Sequence, residues 1–131
     1  MNRGVRETKR ALAQQLGVVV GFDDPNASLE QYRTPPELAA YLVHLADLQG
    51  DLEARTVIDL GCGTGMLALG AALRGPERVV GLDIDPSPLR IATRNERKVA
   101  TATSVSWVRG DATVAPFAPN GEGVTVVMNP P

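Results

Sequence analysis

The chain has 131 residues, 44% of them hydrophobic and 21% charged, which suits one globular domain and excludes a disordered or fibrous protein. A net charge of −2 gives no bulk attraction for nucleic acid, so any such contact has to come from a local patch. A single cysteine, Cys62, excludes an internal disulfide and a zinc cluster; with no membrane-length apolar run and no secretory signal, the expected location is the cytoplasm.

Residues 3–16 read as a helix, with Val5, Leu12 and Leu16 on one stripe and Arg3, Arg6 and Arg10 on another, closed by Gly17. An apolar run, 18–22, leads into the turn Asp23-Asp24-Pro25-Asn26. Pro35 and Pro36 open a second helix. There Leu38, Leu42, Leu45 and Leu48 recur at helical spacing, and this stripe, widened by Tyr41 and Val43, is expected to face the core. Gln49-Gly50-Asp51 stops it. From residue 56 the pattern alternates. Strand 56–60 meets a glycine-rich turn, 61–65, and a compact helix, 66–73, ended by Arg74-Gly75-Pro76. Strand 78–82 follows, then a helix capped by Asp85, with Pro86 at its first position, running to about Val99. Two more strands are expected at 105–108 and 124–128. This order predicts an α/β protein with a Rossmann-like, doubly wound, mostly parallel sheet, a class of fold that binds ligands at the carboxyl ends of its strands. Residues 1–27 form a leading helix and loop, and 28–131 the ligand-binding domain.

The turn after the first strand reads Asp59-Leu60-Gly61-Cys62-Gly63-Thr64-Gly65-Met66. Alternating glycines permit a tight turn and a close approach of ligand to backbone, beside the free N–H groups of a helix start. The dinucleotide fingerprint G-x-G-x-x-G requires glycine where Met66 stands. The observed G-x-G-x-G, with an acid two residues upstream, suits a cofactor without phosphates, S-adenosylmethionine, better than a nicotinamide dinucleotide. Asp83 lies 18 residues past Gly65, about where an acid meets a ribose, and a carboxylate can accept from both hydroxyls. Asp111 follows the third strand. The last strand runs into Asn129-Pro130-Pro131, a polar residue followed by two stiffening prolines.

These motifs resemble those of class I S-adenosylmethionine-dependent methyltransferases. The resemblance implies that Asp59, Gly61, Gly63, Thr64, Gly65 and Met66 form the cofactor loop. It further implies that Asp111, with the backbone N–H of Ala112, reads the adenine edge of the cofactor. Asn129-Pro130-Pro131 resembles the N/D-P-P-aromatic motif of enzymes that methylate planar amino nitrogens. Such a nitrogen is a poor nucleophile because its lone pair is delocalised. A carboxamide oxygen at Asn129 and the carbonyl of Pro130, held rigid by Pro131, would accept its two N–H bonds and aim the lone pair at the methyl. No strong base is needed, and His44, on a helix among leucines, reads as a packing or boundary residue.

Ser28-Leu29-Glu30-Gln31-Tyr32-Arg33-Thr34-Pro35-Pro36 is similar to the L-E-Q-Y-P-T-P-P box of the methyltransferase-like protein five family. These archaeal and eukaryotic enzymes make N6-methyladenosine in ribosomal RNA. The similarity implies that Gln31 and Thr34 reach the cofactor, that RNA is the substrate, and that a small zinc-ribbon activator is a partner. Read from the residues alone, 28–36 is an N-terminal strap with a helix cap at Thr34. The motif's aromatic and three further strands would lie beyond Pro131, so the sequence reads as truncated after the motif, with the fourth strand an exposed edge. The alternatives are a glutamine-N5 methyltransferase, a nicotinamide-dependent oxidoreductase, and a cofactor-binding fragment without activity. Arg3, Arg6, Lys9 and Arg10 are either RNA phosphate contacts or a solvated helix face.

Overall fold

In a computed structural model the described residues are 8–19, 21, 34–111, 113 and 123–129. Thr8 begins the first helix: its Oγ1 accepts from the Ala11 N–H at 3.1 Å, capping α1 (Lys9–Leu16). Leu12 and Leu16 are fully buried, as their stripe predicts. The expected start at residue 3, and with it Val5, lies outside the described residues.

The second helix, α2 (Pro36–Leu48), forms where the prolines place it but turns a different face inward. Leu38, Leu42, Leu45 and Leu48 are 38–61% exposed, and Tyr41 is exposed with them. The core side is Ala39, Ala40 and Val43. Closeness of approach is the reason. The neighbouring helix α3 (Met66–Leu73) presents Gly70, where an added Cβ would lie 3.1 Å from Val43 Cγ2 and 3.3 Å from Leu16 Cδ1. Helices packed this tightly admit alanine and valine at the contact and push leucine to its flanks. The same face carries Asp47, buried because Arg74 Nη1 donates to its Oδ2 at 2.8 Å, while Arg74 Nη2 lies 3.1 Å from His44 Nδ1. The cap expected at Thr34 is absent: the N-cap position is Pro35, with no side-chain cap bond.

The four strands, β1 (Thr56–Leu60), β2 (Arg78–Asp83), β3 (Val105–Arg109) and β4 (Val124–Val127), form one parallel sheet in the order β3-β2-β1-β4. β1 falls where the sequence reading places it, and the other three differ from that reading by one residue at their carboxyl ends. Between β2 and β3 runs α4 (Pro86–Glu96), capped as expected by Asp85, whose Oδ1 accepts from Ser87 N. It stops three residues early, because Lys98 and Val99 bond back three residues rather than four. Two right-handed crossovers in the same direction put α3 and α4 on one face of the sheet. That face holds Val57, Val79 and Val105, packed with α1, α2 and α3 into a single core. The strand order reverses between β1 and β4. Their carboxyl ends therefore flank the switch-point crevice in which open α/β sheets bind ligands, and β4 is an edge among the described residues. No described helix is long and apolar enough to cross a membrane.

Candidate active site

Seven of the expected site residues meet at the carboxyl ends of β1 and β2. The loop after β1 turns at Gly61, Gly63 and Gly65, all with positive φ (68°, 55° and 97°). A Cβ on Gly61 would meet nothing within 4 Å, so the loop faces open space there, as close approach of a ligand requires. The loop is tied down from several sides. Cys62 N–H donates to Leu82 O at 2.9 Å, Gly63 N–H to Asp83 Oδ2 at 2.8 Å, and the Thr64 carbonyl accepts from Asn95 Nδ2 at 2.9 Å. Asn95 is fully buried, and loss of this bond would leave a buried carbonyl unsatisfied at a cost of ~1–3 kcal/mol. Met66 is buried in the core, so only its backbone is available to a ligand.

Asp59 and Asp83 each do more than their sequence positions suggest. Gly65, the N-cap of α3, has no side chain with which to cap it. Asp59 does this from within β1, its Oδ2 accepting from the Ala68 N–H at 3.0 Å. Burial pushes the Asp59 carboxyl up to about 8; the Ala68 bond opposes the rise and the Asp83 carboxylate adds to it. Asp83 accepts from Gly63 N with one oxygen and from Asp85 N, at 2.9 Å, with the other. It thereby clamps the loop to β2, and each oxygen keeps a lone pair for a ribose hydroxyl. Cys62 is buried in the loop and feels both carboxylates. Burial first, and then both charges, push its thiol up, so it is inert as a nucleophile.

At the end of β4, Asn129 Nδ2 donates to Thr34 Oγ1 at 3.0 Å. Residues 95 positions apart thus meet, and this bond engages the amide nitrogen of Asn129 rather than its carboxamide oxygen, which is an acceptor. Asp111, beyond β3, is exposed and makes a turn of its own. Its Oδ1 accepts from Thr113 N and Oγ1 at 2.9 and 2.7 Å, and these bonds lower its carboxyl below the ordinary range. Gln31, Ala112, Pro130 and Pro131 lie outside the described residues. Sequence reasoning passed over Asn95, Glu96 and Trp107 as site supports. For Asn95 there was a signal: a polar residue on the helical stripe of Pro88, Ile91 and Ala92.

A family model, Ribosomal protein L11 methyltransferase (PrmA), matches residues 40–119. The chain belongs to this methyltransferase family. The rRNA N(6)-adenosine-methyltransferase Mettl5 of Drosophila melanogaster is 36% identical over 124 residues, covering 93% of this chain and 58% of the fly protein. PH1948 of Pyrococcus horikoshii, a candidate RNA methyltransferase, superposes with a TM-score of 0.81 at 35% identity, over 97% of this chain and 59% of its own. An RNA methyltransferase from Salinibacter ruber, solved with S-adenosyl-L-homocysteine, superposes at 0.57 and 30% identity, over 72% of this chain and 59% of its own. This methyltransferase chain therefore spans rather more than half the length of these relatives.

Proposed function

We propose that the chain carries the S-adenosylmethionine site and the amine-positioning residues of an RNA adenine-N6 methyltransferase. One observation carries the reading: Asn129, bonded through its amide to Thr34, lies two residues past the end of β4, which pairs with the strand that leads into the glycine loop. The share of the chain that each likeness covers supports this substrate class. The ribosomal-protein model matches 40–119, which includes the glycine loop and neither end motif. Likeness to the N6-adenosine enzyme runs over 93% of the chain.

The electrostatics suit this cofactor. Two carboxylates, Asp59 and Asp83, flank the loop, one buried and holding its proton to about pH 8. Protonated Asp59 adds no charge at neutral pH, so the Asp83 carboxylate alone disfavours a pyrophosphate and favours a cationic ligand. The bound cofactor would supply an electrophilic methyl carbon. Around it Asp83 would accept from the ribose, Asp111 and Ala112 would meet the adenine, and Gln31 would reach the cofactor. Asn129 and the carbonyl of Pro130, in a loop stiffened by Pro131, would take the two N–H bonds of the substrate amine. No side chain of the site would have to take the amine proton, which would leave to water once the nitrogen has been methylated. Residues 28–131 are the methyltransferase domain in this reading, with 1–27 a leading helix and loop. A small zinc-ribbon activator and a cytoplasmic setting complete it.

Incubation with methyl-labelled S-adenosylmethionine, ribosomal RNA and ribosomal proteins tests the substrate class. Label is expected in RNA, released by digestion as N6-methyladenosine. Label confined to protein would refute the reading and favour a ribosomal-protein or glutamine-N5 methyltransferase.

A further inference from the structure

We propose that Trp107 is a positioning residue for the cofactor: its indole, acting through Gly65 and Gly81, sets the height of the glycine loop. The inference rests on the reading of that loop as the S-adenosylmethionine site.

Trp107 lies in the middle of β3, in register with Gly81 on β2, which in turn pairs with Asp59 on β1. Its six-membered ring covers Gly81 so closely that a Cβ there would sit 2.6 Å from both Cε3 and Cζ3. The far corner of the ring, Cη2, reaches the loop, at 2.7 Å from where a Cβ on Gly65 would be. At the other end Nε1 donates to Glu96 Oε1 at 3.0 Å, and Glu96 Oε2 accepts from the Val105 N–H at 2.8 Å. The indole is therefore pinned to α4 and β3 at one edge and underlies the last residue of the loop at the other.

Gly65 thus has a second reason to be glycine, independent of its φ of 97°. Gly81, in an ordinary strand conformation, is glycine chiefly because of the ring, with Cys62 Sγ a looser neighbour at 3.1 Å from where a Cβ would be. Beyond the backbone bond at Cys62, side chains hold the loop at three successive points: Asp83 at Gly63, Asn95 at Thr64 and Trp107 at Gly65. The first two are hydrogen bonds that fix direction. The indole is the floor that fixes depth, and it decides how far the loop and the first turn of α3 can sink toward the sheet. A smaller ring lets them drop, withdrawing backbone N–H groups from whatever the loop holds.

Trp107 is the sole tryptophan of the chain, so its emission reports on this contact directly. Titration with S-adenosyl-L-homocysteine is expected to shift that emission with the same midpoint that calorimetry gives. Trp107→Phe keeps an apolar ring but loses reach and the Glu96 bond. Its affinity for S-adenosyl-L-homocysteine is expected to fall about tenfold, the equivalent of one lost hydrogen bond. Gly81→Ala should weaken binding in the parent and add much less in a Trp107→Ala background, where the 2.6 Å clash with the ring is gone and only the 3.1 Å approach to Cys62 Sγ remains. Parental affinity in Trp107→Phe, with only the melting temperature lowered, would overturn the proposal, as would additive effects of the two alanine changes. Either result leaves the cofactor reading intact. A parent that binds no S-adenosyl-L-homocysteine would sink both.

Discussion

Replacement of Asn129 by alanine is expected to slow methyl transfer to RNA by about two to three orders of magnitude, the scale of losing one preorganised polar group at a reacting centre. Affinity for S-adenosylmethionine should stay within about twofold, because the carboxamide is argued to meet the amine rather than the donor. The geometry behind this is specific. Asn129 gives its amide nitrogen to Thr34 Oγ1, and the Thr34 hydroxyl therefore decides which way the carboxamide oxygen points. Thr34→Val, which keeps the shape and removes the acceptor, should lose about tenfold or more in rate through misorientation alone. Single-turnover rates with labelled donor, set beside calorimetric affinities, separate the two effects. An Asn129→Ala protein that turns over like the parent would remove the assigned role, and a selective loss of donor affinity would move it to cofactor binding.

The second large effect is a pH dependence of stability that belongs to Asp59. Its carboxyl is pushed up to about 8 in the folded protein from an ordinary value of 3.8. Between these limits the folded chain holds a proton that the unfolded chain has released. Stability from this group is therefore complete below about pH 4 and declines as pH rises, at up to about 1.4 kcal/mol per unit, until about pH 8. Asp59→Asn keeps an oxygen for the Ala68 N–H and carries no charge in either state. Urea unfolding at pH 5 and pH 8 should show the parent losing several kcal/mol more than the variant as pH rises. Parallel pH profiles would mean that the carboxyl is ionised throughout and that the loop is solvated.

Much of the fold was legible because the chain punctuates it. Gly75-Pro76 after α3, Asp85-Pro86 before α4 and the glycines after β1 are local signals with local causes, and each element falls where its signal stands. The inward face of α2 was not legible. Leucine outranks alanine in any hydrophobic pattern, and only the nearness of Gly70 on α3 makes alanine the better core residue. The site divides in the same way. Gly61, Gly63, Gly65 and Asp83 could be read off because their spacing from the strand ends has a mechanism. That Asp59 caps a helix nine residues on follows only once β1 and α3 are folded together. Contact between Thr34 and Asn129 depends on β4 lying beside β1, since family resemblance alone directs Thr34 to the cofactor. Gly81 and Trp107 meet through strand register, which no local pattern encodes.

All of the chemistry rests on one claim, that residues 61–65 with Asp83 hold an adenosyl cofactor carrying sulfur rather than a dinucleotide. Calorimetry on the 131-residue chain with S-adenosyl-L-homocysteine and with NAD tests it most directly. The account predicts saturable binding of S-adenosyl-L-homocysteine, abolished by Gly65→Val, and no measurable heat from NAD. Tighter binding of NAD, or binding of S-adenosyl-L-homocysteine that Gly65→Val leaves untouched, would contradict it.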